Sequence, residues 1–311
     1  MTDKTFDPET TKNEIVDWIR EFFKNTGGKI AVVGISGGKD SSIVAALCKE
    51  ALGAENVLGC LLPKAVREES RSYNQRNELC NAVEAAFSGN SKRKIDFDKL
   101  NNYTESIMSF LTGVKLCRHL SIPYICKEIE PVINSCYGCL PTEKGRPIFT
   151  KQAVTNLPAR IRMTLLYAIA QTVDGGRVAN TSNFSEDWVG YATRWGDSVG
   201  DFAPLARFTV SEVKQIGYAL KLPEEFIERI PSDGLCGKSD EENLGFSYAV
   251  LDKYIRTGEI DDPEVKAKID ALHKKNLFKF KPIPAFSPNI SFKGMYTGCL
   301  EAKLAVFDLN P

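Results

Sequence analysis

Residues 34 to 42 read Gly34-Ile35-Ser36-Gly37-Gly38-Lys39-Asp40-Ser41-Ser42, a run whose chemistry is that of anion binding. Small residues let the backbone turn tightly enough for successive N–H groups to converge on one anion. Ser36, Ser41 and Ser42 add hydroxyls. A helix starting behind such a loop adds the partial positive charge of its N-terminus, which favours phosphate further. The run is a near miss to the G-x-x-x-x-G-K-[ST] phosphate loop: three residues separate Gly34 from Gly38, and Asp40 follows Lys39 where a hydroxyl residue would stand. Nor is it a G-x-G-x-x-G dinucleotide loop. An aspartate beside phosphate is repelled unless a cation lies between them, so Asp40 points to a magnesium ligand.

Such a loop needs a strand before it and a helix after it. The continuous apolar run over 29–35 predicts a parallel strand buried on both faces, and a helix is expected over 41–52. A helix over 9–25 precedes them, with Ile15, Trp18, Ile19, Phe22 and Phe23 on one stripe and Gly27-Gly28 at its end. Further strands are expected at 56–62, 122–129 and 177–181, with a long helix over 150–173. Thr209 and Glu212 form a capping-box signature that opens a helix to Leu220, and helices are expected over 241–256 and 263–275. This alternation predicts an α/β fold: a doubly wound, mainly parallel five-stranded sheet with helices on both faces. Residues 1–284 are read as one domain, with an irregular insertion at about 63–111 that carries Arg67, Arg71, Arg76 and Lys92-Arg93-Lys94. The proline-rich chain from Lys279 is expected on the surface, with 285–311 a C-terminal tail.

The 311 residues carry 40 Lys+Arg and 40 Asp+Glu, and 43% are hydrophobic. A core of useful size can therefore form, and a net charge of zero argues against nucleic acid as the main partner. The polar, acidic start lacks the pattern of a secretory signal. No apolar run approaches the roughly 18 residues needed to span a bilayer. A cytoplasmic location follows as the expectation. The nine cysteines are an odd count, mostly in apolar runs, and read as small buried hydrophobes rather than a disulfide framework.

The second half narrows the chemistry. Asn156-Leu-Pro-Ala-Arg160-Ile-Arg162 sits on the long helix; two arginines two apart diverge, so one can meet a ligand while the other pairs internally. The segment from Asn180 through Glu186, Gly190 and Arg194 to Asp197 leaves the carboxyl end of the fourth strand, where ligands of open α/β sheets bind. Pro231-Ser232-Asp233-Gly234 and Ser239 to Gly245 follow. The Ser-Gly-Gly-x-Asp-Ser loop resembles that of N-type ATP pyrophosphatases, which cleave ATP between its α and β phosphates. With the later segments in this order, the chain resembles the NAD synthetases over about 29–62 and 111–284.

The resemblance implies the adenine nucleotide alpha hydrolase-like fold and ammonia-dependent amidation of deamido-NAD. ATP would be co-substrate and Mg2+ the metal. It assigns the ATP phosphates to Gly34 through Ser42, with Thr181 and Ser232 also at ATP. Magnesium falls to Asp40 and Glu186, and deamido-NAD to Arg160, Arg194, Asp201 and Lys279. Arg194 stands where lysine is common in the family. Val210 stands where the family often has a lysine meeting ATP phosphate, and Phe278-Lys279 where it has a His-Lys pair.

The implied chemistry is that the nicotinate carboxylate attacks the α-phosphorus, pyrophosphate leaves into the loop, and ammonia attacks the mixed anhydride to give NAD and AMP. Positioning and electrostatics dominate such a reaction, with no covalent nucleophile on the protein. A loop beginning at residue 34 leaves no room upstream for a glutamine amidase, so free ammonia is the expected nitrogen source, and the family's usual state is a homodimer. The rival readings are an RNA-modifying ATP pyrophosphatase using Cys136-Tyr-Gly-Cys139, and a nucleotide-sensing module without turnover.

Overall fold

The computed structural model describes residues 6–64, 105–144, 146–229 and 240–284. Helix α1 (Pro8–Thr26) starts where the Asp7 carboxylate accepts from the Thr10 N–H, and ends at Gly27 with φ +65°. It feeds β1 (Ile30–Gly34), which leads into α2 (Lys39–Leu52) and β2 (Val57–Leu61). Next come α3 (Glu105–Leu120), β3 (Tyr124–Cys126), α4 (Glu130–Gly138), α5 (Lys151–Ala170) and β4 (Gly176–Ala179). The C-terminal part is helical: α6 (Phe184–Val189), α7 (Val210–Ala219), α8 (Glu224–Ile227), α9 (Asp240–Leu244), α10 (Tyr248–Thr257) and α11 (Pro263–Asn276).

The sheet is parallel in the order β3-β2-β1-β4, with Val32 opposite both Leu58 and Val178. Alternation along β1 sends Ala31 and Val33 into a core shared with α1, α2, α3, α7 and α8, while Val32 joins Cys60, Ile133 and Ile161 beneath α4 and α5. Helices thus cover both faces, as expected for continuously apolar strands. A third cluster joins Val189 and Val210 to Leu244, Tyr248, Leu251 and Ile269 in the C-terminal helices.

Several expectations need correction. Among the described residues the sheet has four parallel strands, not five. The fifth position is reduced to one bridge, Ala179 to Phe202; there the Asp201 carboxylate takes the Val178 N–H (2.8 Å), and Pro204 has no N–H to extend a ladder. The strand expected over 122–129 keeps only three residues. The helix expected over 241–256 is two, parted at Gly245 (φ +77°) and restarted by Ser247, whose hydroxyl accepts from Val250. Helices α4, α6 and α8 were not anticipated. Residues 105–111, within the stretch read as a helical and loop excursion, are helical and open α3; residues 65–104 and the tail 285–311 lie outside the described residues. Cys48, Cys60, Cys117 and Cys126 are buried as expected, whereas Cys136 is half-buried and Cys139 exposed.

Candidate active site

The loop between β1 and α2 opens at the carboxyl edge of the sheet, and its own hydroxyls shape it. Gly38 N–H donates to Ser36 Oγ (3.2 Å), and Ser36 N–H donates to Ser41 Oγ (3.3 Å). Ser41 and Ser42 both donate to the Gly38 carbonyl (3.1 and 2.8 Å). Gly37 has φ +80°, and a Cβ there would lie 2.1 Å from the Ser109 carbonyl oxygen, so no other residue fits. Arg229 fixes this close approach: Nη1 reaches the Gly37 and Met108 carbonyls (3.4 and 3.3 Å) and Nη2 the Ser109 hydroxyl (2.8 Å). The sequence reading missed Arg229, because a lone arginine after a short helix carries no motif.

Lys39, the second residue after the turn, is 1% exposed. Its ammonium lies 2.9 Å from Asp40 Oδ2 and 3.9 Å from Glu186 Oε1, and 5.9 Å from the centre of the Tyr248 ring. Burial pulls the lysine pKa down, but Asp40 and Glu186 outweigh it and leave it raised. The Glu186 carboxyl is pushed up to about 8 by burial first and by Asp40 second, against the pull of Lys39. Asn183 ties the two acids together, donating from Nδ2 to Asp40 Oδ1 (3.2 Å) while its Oδ1 accepts the Glu186 N–H (3.1 Å) as the cap of α6. Asp252 holds α6 from behind, taking Ser185 Oγ (2.5 Å), Ser211 N (2.8 Å) and Ser211 Oγ (2.6 Å).

Two carboxylates crowded into a partly desolvated site suit magnesium, which takes one or two protein oxygens and completes its shell with water and phosphate. The raised pKa of Glu186 is what such a cation would relieve. No group of three or more His, Cys, Asp or Glu side chains forms a metal site among the described residues.

A cleft of about 440 Å³ joins the loop to the inner face of α5. Of the residues singled out from sequence, Gly34, Ile35, Ser36, Gly38, Lys39, Asp40, Ser41, Thr181 and Glu186 line it. Gly37 is turned against Ser109, and Ser42, fully buried, bonds back into its own helix. Arg160 is exposed at the rim, with Nε 3.4 Å from the Arg194 carbonyl. The Arg194 guanidinium packs over Trp195 and Phe278, at 4.9 and 5.5 Å from the ring centres. Lys279, expected on the surface, is half-buried and donates to the Gly190 and Ala192 carbonyls (2.7 and 3.0 Å). Asp201 sits at the sheet edge, bonded to Val178 N–H and to the Tyr167 hydroxyl (3.2 Å). Ser232 lies outside the described residues. Neither Cys136 nor Cys139 lines the cleft.

The NAD synthase family profile matches residues 11–109 and 100–282. The ammonia-dependent NAD synthetase of Methanococcus aeolicus is 32% identical over 250 residues, covering 79% of this chain and 82% of its own. The chain belongs to the NAD synthase family. Among solved structures, the ammonia-dependent NAD synthetase of Campylobacter jejuni aligns over 91% of this chain and all of its own, at TM-score 0.63 and 26% identity. An NMN synthetase from Francisella tularensis shares the fold at TM-score 0.69 and 24% identity, over 92% of this chain and all of its own.

Within this family the chain's departures acquire a structural account. Val210, where the resemblance led to an expected lysine, is buried in the third core, and its N–H donates to Ser185 Oγ (3.1 Å). The ammonium facing Asp40 and Glu186 is that of Lys39, inside the loop. His273 lies elsewhere, stacked on Trp188 at 4.2 Å.

Proposed function

We propose that this member of the NAD synthase family amidates the nicotinate carboxylate of deamido-NAD with ammonia at the expense of ATP, releasing NAD, AMP and pyrophosphate. The observation that carries the reading is a backbone-lined anion loop with Lys39, Asp40 and Glu186 converging beside it at the carboxyl edge of β1. A carboxylate cannot lose oxide to ammonia, so its oxygen must first become part of a leaving group. The carboxylate attacks the α-phosphorus, and pyrophosphate departs into the loop amides of residues 36–42, aided by the N-terminus of α2. Ammonia then attacks the acyl carbon and AMP leaves. Bound at Asp40 and Glu186, magnesium would neutralise charge on the phosphates.

The chain's own part is to orient and to desolvate. Lys39 holds the two acids in place and adds positive charge beside the phosphates. Thr181 and Ser232 are assigned to ATP, and Arg160, Arg194, Asp201 and Lys279 to deamido-NAD. The mutual approach of Arg160 and Arg194, and the docking of Lys279 onto the 190–192 segment, support a common rim for that substrate. The Asp201 carboxylate, already taking two donors, keeps capacity for a substrate hydroxyl. Residues 1–284 act as one catalytic domain, working as a homodimer in the cytoplasm. Free ammonia is the nitrogen source, as in the names of the relatives of which this chain covers about four-fifths (82%).

The experiment is direct. Purified protein receives ATP, magnesium and deamido-NAD with either ammonium or glutamine, and NAD and AMP are quantified together. Equal amounts of NAD and AMP with ammonium, and little of either with glutamine, are expected. ADP in place of AMP, or no NAD, would overturn the reading. Asp40→Asn should lower magnesium-dependent turnover by about two orders of magnitude or more.

A further inference from the structure

Arg162 has no role in the reading above, yet its surroundings are those of a ligand group. It lies on α5 and lines the cleft across from the phosphate loop. Its Nε donates to the carbonyl of Leu62, the residue just past the end of β2 (2.9 Å). Among the described residues this is its one hydrogen bond, and no carboxylate lies within ion-pair distance. The terminal N–H groups of the fork are thus left without protein partners in a partly desolvated wall. Burial pulls its pKa down, with Asp197, on the same cleft, pulling the other way. Keeping a cation there is unfavourable unless something anionic completes it. Arg256 and Arg20, by contrast, pair with Glu212 and Asp17 on the surface.

We propose that Arg162 anchors the oxyanion at the reacting centre, its plane fixed by Leu62 so that both terminal nitrogens face the cleft. This rests on the amidation reading: with pyrophosphate received by the loop, the oxyanions that come to lie between the loop and α5 are the α-phosphoryl oxygens of ATP and the carboxylate of the acceptor. A guanidinium fork matches either group with two parallel hydrogen bonds, which an ammonium does not. Arg160, two residues away, points to the outer rim, so the pair divides into an inner and an outer arginine.

The test uses the full chain with Arg162→Gln and Arg162→Lys. Three quantities are measured: the Tm of the ligand-free protein, the Kd of ATP and of deamido-NAD each alone, and kcat. Glutamine can still donate to a carbonyl, so the ligand-free Tm should stay level or rise. The affinity for one of the two ligands should fall about tenfold or more, with a larger loss in kcat. The lysine variant should recover little. A loss confined to ATP assigns the contact to the α-phosphoryl group, and a loss confined to deamido-NAD assigns it to the carboxylate. Intact affinities with a collapsed kcat place the contact in the transition state, which also supports the anchor. A lower ligand-free Tm with unchanged affinities and kcat would make Arg162 a prop for Leu62 and overturn the proposal, as would wild-type behaviour throughout. If the wild-type protein makes no NAD, the amidation reading fails separately, and Arg162 is judged on the affinity for ATP alone.

Discussion

Replacing Lys39 with methionine probes the centre of the site. Methionine fills nearly the same space without the ammonium, so packing is largely kept and the change is electrostatic. The ammonium is 1% exposed and lies 2.9 and 3.9 Å from two carboxylates whose side chains are 18% and 20% exposed. Removing one partner of a buried ion pair costs about 3–5 kcal/mol. Two effects reduce this here: the desolvation of the lysine is relieved, and Glu186, already pushed up to about 8, is largely protonated at neutral pH, so the carboxylate left bare is that of Asp40. A net loss of roughly 2–3 kcal/mol is expected for metal-free protein at neutral pH, or about 3–5 °C in Tm for a domain of this size. Magnesium supplies a replacement cation, so millimolar magnesium should restore much of the loss in Lys39→Met while moving wild type much less. The assay is thermal unfolding with chelator and with magnesium, monitored by circular dichroism. An unchanged or raised Tm in chelator, or equal magnesium shifts for the two proteins, would refute the view that Lys39 holds the acids in place until the metal arrives.

Gly37→Ala combines a left-handed backbone conformation with a Cβ 2.1 Å from the Ser109 carbonyl. It should cost more than about 2 kcal/mol and abolish ATP binding by calorimetry; near-normal ATP affinity would show that the loop tolerates displacement. Asp252→Ala removes three hydrogen bonds behind α6 and should destabilise by about 3 kcal/mol in urea unfolding, with a matching drop in kcat because α6 carries Glu186. Asp187, whose Oδ1 has no hydrogen-bond partner among the described residues, has its carboxyl pushed up from 3.8 to about 7 by burial first and by Asp197 second. The folded state therefore favours the protonated acid, and this carboxyl costs stability progressively as pH rises from about 4 through 7. Asp187→Asn should leave Tm unchanged near pH 4 and raise it by a few degrees at pH 8; an equal gain at both pH values would exclude this cause.

The local part of the fold was legible in the residues. The apolar run at 29–35, the Gly-Gly turn and the capping box at Thr209 each specify a local conformation through nearest-neighbour physics, and each element formed within a residue or two of its expected place. The tight turn over residues 34–42 was legible for the same reason: its glycines and hydroxyls act over nine consecutive positions. Short helices such as Phe184–Val189 were not, because six residues span fewer than two helical turns, too few for an apolar stripe to repeat, and this one is fixed by its Asn183 cap and the distant Asp252.

What the sequence by itself determined is the chemistry of the loop and the layering of strands and helices, since both follow from residue types adjacent in the chain. Only the tertiary structure decided which charges meet. Asp40 and Glu186 are separated by most of the sheet in sequence, and they share one ammonium because β1 and β4 pair side by side. The same packing turned Arg162 inward and Arg160 outward on one helix, buried the Lys39 ammonium against both acids, and reduced the fifth strand to a single bridge. Such outcomes depend on long-range burial and desolvation, which no window of neighbouring residues contains.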